Sequence, residues 1–200
     1  MKNSVDAAAF YKAMTALLDI PAKSSIRTLR EIKVAFDANQ CVLSATDLNT
    51  RMSVTLPASG DSFDFVFRNS ASIQKVCRHF DGALELELQQ RGDESFLTMR
   101  SGSKGGEFPA YDTKDCPVWP KLEVKQTYTA NAAKILACVK QVKYAVDLRN
   151  TRPEYHGVLF QGRHIWSVEG HRAACCDDGG LDVETPFLVG VSALEQLKVF

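Results

Sequence analysis

Residue types that could bind a metal ion or act as nucleophiles are concentrated in one stretch near the end of the chain. His171, Cys175, Cys176 and Asp177 fall within seven consecutive positions. Imidazole, thiolate and carboxylate groups are the usual ligands of zinc, and a thiol beside an imidazole can act as a nucleophile. Two adjacent cysteines of a strand point to opposite faces, however, and no second ligand pair has the spacing of a zinc site. A cysteine–histidine nucleophile would also lack a defined group to orient the histidine.

The rest of the sequence adds no catalytic signature. It contains no P-loop, no dinucleotide-binding fingerprint and no GxSxG motif. We expect His79, His156 and His164 to be surface or sheet residues and not ligands. The six cysteines follow no disulfide framework spacing, so we expect free thiols, most of which fill the core. The sequence therefore predicts no catalysis, no metal and no cofactor.

Composition indicates a globular chain of one large domain or two ordinary ones. Of its 200 residues, 45% are hydrophobic and 24% are charged. No apolar run is long enough to cross a bilayer, and the N-terminus lacks the apolar core of a signal peptide, so we expect a cytoplasmic protein with no membrane contact. The 24 basic and 24 acidic residues cancel. This balance argues against a protein that coats nucleic acid through its overall charge. It is compatible with one basic surface that is balanced by an acidic surface elsewhere.

The elements that must position these residues alternate between helices and strands. Helices are predicted over Val5–Asp19, Ser70–Phe80 and Asn131–Val146, with another beginning at Ser192. Segments with a period of two predict an antiparallel sheet with one buried face. These segments are Glu31–Phe36, Cys41–Ala45, Arg51–Leu56, Ser62–Arg68, Ala83–Gln89 and Ser95–Arg100, with a last short strand at Leu188–Val191. A glycine-rich loop is expected over 101–106, and 107–120 is predicted to be irregular.

A β-hairpin near the end of the chain has an unusually polar tip. His156–Gln161 and His164–Val168 are apolar runs joined by the turn-like pair Gly162-Arg163. The four residues Glu169–Arg172 that follow are untypical of an ordinary exposed strand. This pattern favours a surface that binds a partner.

The second half of the chain repeats the first at an offset of about 123 residues. The shift takes the helix at 10–18 onto 133–141 and the segment 45–51 onto 168–174. It implies two similarly folded units, the second of which is shorter.

Basic side chains are predicted on the exposed helix faces, and acidic ones on the strands. The helix residues are Lys12, Lys75, Arg78, Lys134, Lys140 and Lys143, and the strand residues are Glu85 and Glu87. A basic layer of helices suits a phosphate backbone without base reading. Solvated helix faces are the alternative interpretation, since surface lysines are common.

Several short stretches, taken together, resemble the bacterial DNA polymerase III beta subunit, the sliding clamp. They occur in the family's order: Leu43–Leu48, Arg100 with Gly102, Glu107–Pro109, Arg152 with His156–Phe160, and Glu169–Arg172. The resemblance implies an α+β DNA clamp fold, with repeated units of antiparallel sheet and paired helices lining a DNA-facing surface. It assigns 1–122 to the first clamp domain and 123–200 to an incomplete central domain. The family's third domain, which completes the ring-shaped homodimer, is not in this sequence.

The resemblance also implies which residues contact partners. Lys23, Arg149 and Arg152 correspond to DNA-facing loop positions. With the helix residues named above, they form the predicted DNA-binding set. The family's pocket for short linear peptides of polymerases and the clamp loader corresponds to Tyr155, Val168, Gly170, His171, Arg172 and Ala173. Ala173 replaces a larger aliphatic residue and Glu169 an aspartate, so a different peptide preference is expected. Part of the pocket wall belongs to the family's third domain, so we expect weak affinity.

One departure from the family pattern concerns the first domain. Between Gly102 and Glu107 the family usually has a further strand, and here only Ser103–Gly106 remains. We expect an altered sheet edge in this domain.

Two functions follow from these observations. The first is a sliding clamp subunit or fragment that binds duplex DNA non-specifically and tethers the replicative polymerase. Its partners would be DNA, the DNA polymerase III catalytic subunit and the clamp loader. The alternative is a clamp-fold protein-interaction module that does not close a ring.

Overall fold

The chain forms two compact units, Met1–Trp119 and Pro120–Phe200. A computed structural model describes residues 1–20, 27–47, 50–114, 116, 123, 126–177 and 179–196. No helix in this described part has the length and apolar character needed to cross a membrane.

The first unit contains eight strands and two helices among its described residues. The helices are α1 (Ala7–Leu17) and α2 (Ser70–Cys77), and a 3-10 turn spans Arg27–Arg30. The strands are β1 (Lys2–Asp6), β2 (Lys33–Asp37), β3 (Gln40–Thr46), β4 (Arg51–Gly60), β5 (Phe63–Phe67), β6 (Ala83–Arg91), β7 (Glu94–Ser101) and β8 (Lys104–Tyr111). Their antiparallel pairings close on themselves in the order β1-β4-β3-β2-β5-β8-β7-β6.

The two helices of the first unit pack their apolar faces into the same hydrophobic core as the strands. Asp6 caps α1 by accepting a hydrogen bond from the Ala9 amide at 2.8 Å, and Asn69 caps α2 in the same way. Phe10 of α1 is fully buried and meets Phe67 of β5 edge-on, with ring centroids 6.5 Å apart. Both helices therefore present one apolar face to the core, as their spacing predicts.

Strand β8 contradicts the predicted glycine-rich loop and the predicted loss of a strand. It pairs with β7 over its whole length, from Ser101↔Lys104 to Ser95↔Ala110. The two-residue turn before it begins at Gly102, whose φ is +57°. Glycine and proline are uncommon in strand interiors, so their presence in this segment argued against a strand. A Cβ at Gly105 would lie 2.9 Å from the Met99 carbonyl oxygen, so glycine allows β8 to approach β7 closely.

Strand β1 was not predicted from the sequence. It pairs with both β4 and β6 and so joins the two ends of the sheet. Ser4 pairs with Ser59 of β4 on one side and with Glu85 of β6 on the other. The strand is short and runs directly into α1, so the helical pattern masked it.

The second unit has one four-stranded sheet and two helices among its described residues. The helices are α3 (Ala132–Val142) and α4 (Val191–Gln196), with 3-10 turns at Lys143–Ala145 and Pro153–Tyr155. The strands β9 (Gly157–Gly162), β10 (His164–Glu169), β11 (Arg172–Cys176) and β12 (Val183–Gly190) lie in the antiparallel order β11-β10-β9-β12. The predicted turn at Gly162-Arg163 is confirmed, and β12 begins earlier than expected.

A disulfide joins helix and sheet in the second unit. The sulfur atoms of Cys138 in α3 and Cys176 in β11 are 2.26 Å apart. The expectation of free thiols throughout is therefore wrong for these two residues. It holds for Cys41 and Cys77, which are buried and unbonded. Burial raises the pKa of both thiols to about 12.

The predicted repeat is confirmed by topology, but its register is not. The order β4-β3-β2-β5 in the first unit recurs as β11-β10-β9-β12 in the second. The helices α1 and α3 each have 11 residues, and Ala132 lies 125 positions after Ala7. This offset superposes the buried faces of the two helices, whereas the sequence offset of about 123 residues does not.

Candidate nucleic-acid and peptide surfaces

The helix pair of the first unit presents unpaired cations to solvent. Lys12 of α1, Lys75 of α2 and Arg78 directly after α2 are exposed. Among the described residues, none of the three forms an ion pair. The Gln74 side-chain amide donates to the Thr15 hydroxyl at 2.8 Å. This bond fastens α1 to α2 on the solvent side, where Thr15 follows Lys12 by three residues.

Most strand cations of the same unit are neutralised, in contrast. Lys2 pairs with Glu87 at 3.3 Å, and Lys33 with Asp64 at 3.0 Å. Further pairs are Arg68–Glu94, Arg91–Glu107 and Lys104–Asp81. The helix cations of this unit are therefore unpaired among the described residues, whereas most of its strand cations have a carboxylate partner.

In the second unit, exposed cations lie on α3 and on the loop that follows its 3-10 turn. Lys134 and Lys140 are exposed on α3. The loop is fixed by Asp147, whose carboxylate accepts from the Arg149 amide at 3.0 Å, and by Asn150, whose side-chain oxygen accepts from the Arg152 amide at 3.0 Å. Both arginine side chains are exposed. The loop backbone is thus held by its own polar residues and leaves both guanidinium groups at the surface. Lys23 lies outside the described residues.

The residues assigned to the peptide pocket gather at the tip of the β10–β11 hairpin. Gly170 and His171 form its two-residue turn, and Val168 pairs with Ala173 across the strands. Val168 keeps 46% of its surface exposed. The tip therefore offers a small apolar floor beside polar groups.

An ion pair between Arg172 and Glu169 braces this tip. The Arg172 Nε donates to a Glu169 carboxylate oxygen. This contact lowers the pKa of Glu169 and raises that of Arg172. The guanidinium is thus oriented by a carboxylate that lies in the same hairpin.

A backbone hydrogen bond links Tyr155 to Asp147, a residue that affects the charged groups of the tip. The Asp147 amide donates to the Tyr155 carbonyl at 3.0 Å, and the carboxylate of Asp147 acts electrostatically on both Glu169 and Arg172. Neither Asp147 nor Tyr144, whose side chain is 59% exposed, was singled out in the sequence. The available signal in the sequence was that Tyr144 lies off the apolar stripe of the helix predicted over 131–146.

The candidate ligands at the end of the hairpin are separated by the fold. His171 lies in the turn, whereas Cys175 lies towards the far end of β11, and Cys176 points inward to its disulfide. The histidine that accompanies Cys175 and Asp177 is instead His164. His164 is an exposed strand residue, as predicted, and it lies beside two other potential ligands.

The fold of this chain is that of bacterial DNA sliding clamps. The DNA polymerase sliding clamp of Bacillus subtilis matches 100% of this chain and 57% of its own chain, with a TM-score of 0.84 at 16% identity. The DNA polymerase III beta subunit of Pseudomonas aeruginosa matches 98% of this chain and 56% of its own, with a TM-score of 0.81 at 14% identity. The DNA polymerase III beta subunit of Thermotoga maritima matches 99% of this chain and 55% of its own, with a TM-score of 0.77 at 20% identity.

In sequence, the chain is similar to the beta sliding clamp of Halalkalibacterium halodurans. The two are 24% identical over 148 residues, which cover 71% of this chain and 39% of that protein. No family model matches the chain. The resemblance inferred from short motifs and the clamp fold that it implied are confirmed. The chain spans about half the length of the solved clamps that it matches.

Proposed function

We propose that this chain is a non-catalytic sliding clamp subunit, or part of one, that holds replication proteins on duplex DNA. The observation that carries the proposal is the separation of charge by layer. Cations on the helices are exposed, and those of Lys12, Lys75 and Lys140 are free of ion pairs among the described residues, whereas most described strand cations of the first unit are paired with carboxylates. Such a surface attracts phosphates wherever they lie along a duplex.

This arrangement favours sliding over sequence reading. Lysine and arginine side chains on the exposed faces of helices can contact phosphates, which carry no sequence information directly. Binding would then release counterions, depend strongly on salt and be indifferent to sequence. The DNA-binding residues would be those predicted from the sequence, including Lys23.

The hairpin tip would bind the partner peptide. Val168 and Ala173 supply an apolar floor, and Arg172, held by Glu169, supplies an oriented donor for a peptide carbonyl or carboxylate. The partners would be the DNA polymerase III catalytic subunit and the clamp loader, in the cytoplasm. Closure of a homodimeric ring would require a third domain.

One observation supports the alternative of a protein-interaction module that does not close a ring. Trp166, Val168 and Leu188 are 38%, 46% and 45% exposed on the sheet of the second unit. Trp166 and Leu188 both pair with Leu159, so they lie in one row across three strands. An exposed apolar row of this kind suits contact with another protein.

Two matched triple variants test the proposal. Lys12→Gln, Lys75→Gln and Lys140→Gln remove three unpaired helix charges, and Lys2→Gln, Lys33→Gln and Lys104→Gln remove three paired strand charges. Both variants change the net charge equally, and exposed ion pairs contribute only about 0–1 kcal/mol each, so both should fold.

Fluorescence anisotropy with a labelled duplex of arbitrary sequence is the assay. We expect the helix variant to bind at least about tenfold more weakly at low salt, and the strand variant to bind as the parent does. Equal weakening in both variants would show only bulk charge, and unchanged binding in the helix variant would reject DNA contact through the helices.

A further inference from the structure

Three metal-ligating side chains converge on the outer face of the second unit, at the end of β10 and β11 opposite the hairpin tip. His164 opens β10, Cys175 lies in β11, and Asp177 follows β11 directly. The register pairs Trp166 with Cys175 and Ile165 with Cys176. Because side chains alternate along each strand, His164 and Cys175 point to the same face. All three residues are exposed.

The distances between the three side chains are close to those of a coordination sphere. The His164 Nδ1 lies 2.9 Å from the Asp177 Oδ1, and the Cys175 Sγ lies 3.6 Å from the same oxygen. The three ligand atoms all lie within 4.8 Å of one another. In a tetrahedral zinc site with Zn–N and Zn–O of about 2.1 Å and Zn–S of about 2.3 Å, ligand atoms are about 3.3 to 3.6 Å apart. For an ion to enter, the contact between His164 and Asp177 must lengthen by about half an ångström, and the ligand atoms of His164 and Cys175, which lie within 4.8 Å of each other, must come to about 3.6 Å.

The backbone that carries these ligands is fixed on both sides. The Gly179 amide donates to the Arg163 carbonyl at 2.7 Å, which holds Gly179 beside the start of β10. A Cβ at Gly179 would lie 2.5 Å from the Ile165 side chain, so this close approach requires glycine. The disulfide of Cys176 anchors the end of β11 to α3. A fixed frame of this kind reduces the cost of ordering ligands around an ion.

We propose that His164, Cys175 and Asp177 form a binding site for a divalent transition metal of the zinc class. Imidazole, thiolate and carboxylate together suit zinc, which accepts nitrogen, sulfur and oxygen ligands in one tetrahedron. The thiolate and the carboxylate balance the charge of the dication, and three protein ligands leave a fourth position open to solvent. The site is distinct from the peptide surface, because the tip at Gly170-His171 lies at the other end of the hairpin.

The metal would take the place of a proton. The Cys175 thiol donates a hydrogen bond to an Asp177 carboxylate oxygen at 3.6 Å, and the proton of this hydrogen bond occupies the space between the two ligands. An ion that enters releases this proton and is bound by the thiolate.

Cobalt and zinc titrations of the full chain under anaerobic conditions test the site. Thiolate ligation by Co²⁺ produces a charge-transfer absorption band, and Zn²⁺ should displace the cobalt and abolish it. The ring of Trp166 lies 6.1 Å from that of His164, so bound Co²⁺ should also quench its fluorescence. We expect one ion per chain.

Matched variants locate the site. Cys175→Ser should abolish the absorption band, and His164→Gln and Asp177→Asn should each weaken binding by more than about tenfold. His171→Gln and Asp182→Asn change exposed residues of the same types elsewhere in the unit, and should bind as the parent does.

Three results would overturn the proposal. The band could persist in Cys175→Ser, His171→Gln could weaken binding as much as His164→Gln does, or several ions could bind with equal affinity. The last two results would indicate scattered surface binding without a defined site.

Discussion

Reduction of the Cys138–Cys176 disulfide should destabilise the second unit and leave the first unit unchanged. The bond closes a loop between residues 38 positions apart. For a loop of about 38 residues, the chain-entropy model gives a stabilisation of about 4 kcal/mol at 25 °C. A difference of this size corresponds to a change of about a thousandfold in the population of the unfolded unit.

Hydrogen exchange of the whole chain, followed by peptide mass analysis, separates the two units. After reduction, the slowest amides of β9 and β10 should exchange up to about a thousandfold faster, while those of β6 and β7 keep their rates. Cys138→Ser should reproduce the change and become insensitive to reductant. Unchanged exchange in β9 and β10 on reduction, or equal acceleration in both units, would refute the assignment of this bond as the brace of the second unit.

Three further predictions concern the cap of α1, the thiols and the hairpin tip. Asp6→Ala should lower the free energy of unfolding of the first unit by about 1 kcal/mol in urea denaturation, because the Ala9 amide loses its acceptor, and an unchanged midpoint would contradict this. Cys175 is exposed and should react with an aromatic disulfide reagent in the native state, whereas Cys41 and Cys77, with a pKa of about 12, should react only after unfolding. The lowered pKa of Glu169 means that its stabilising ion pair is complete at neutral pH and is lost only as the pH falls below the ordinary carboxyl range. Carbon-detected NMR titration of this carboxyl should give a midpoint below 4.5, the ordinary value, and a midpoint above it would contradict the ion pair.

Local patterns predicted the elements in which one face is buried and the other is not. Asp6 marked the start of α1, and the alternation of Leu84 and Leu86 with Glu85 marked β6, because each pattern reports burial along a single element. Strand β8 lacked such a pattern. Gly105 is explained by its close contact with β7, and local periodicity cannot reveal a contact that depends on a partner strand.

Contacts between distant parts of the chain could not be predicted from spacing. The disulfide joins a helix face to a strand end, and His164 meets Asp177 only because β10 and β11 pair in one particular register. The repeat was visible in the order of elements. Its register was wrong by two residues at α3, since connections of different length shift the offset along the chain.

A lysine-reactivity footprint tests the central claim most directly. The chain is acetylated briefly with and without a long duplex, and the modification of each lysine is measured by peptide mass analysis. Lys12, Lys75 and Lys140 should be protected by DNA of any sequence, and the protection should disappear at high salt. Lys2 and Lys33 serve as internal controls and should react equally in both samples. Protection of the strand lysines with free reaction of the helix lysines would contradict the proposal that this chain faces DNA with its helices.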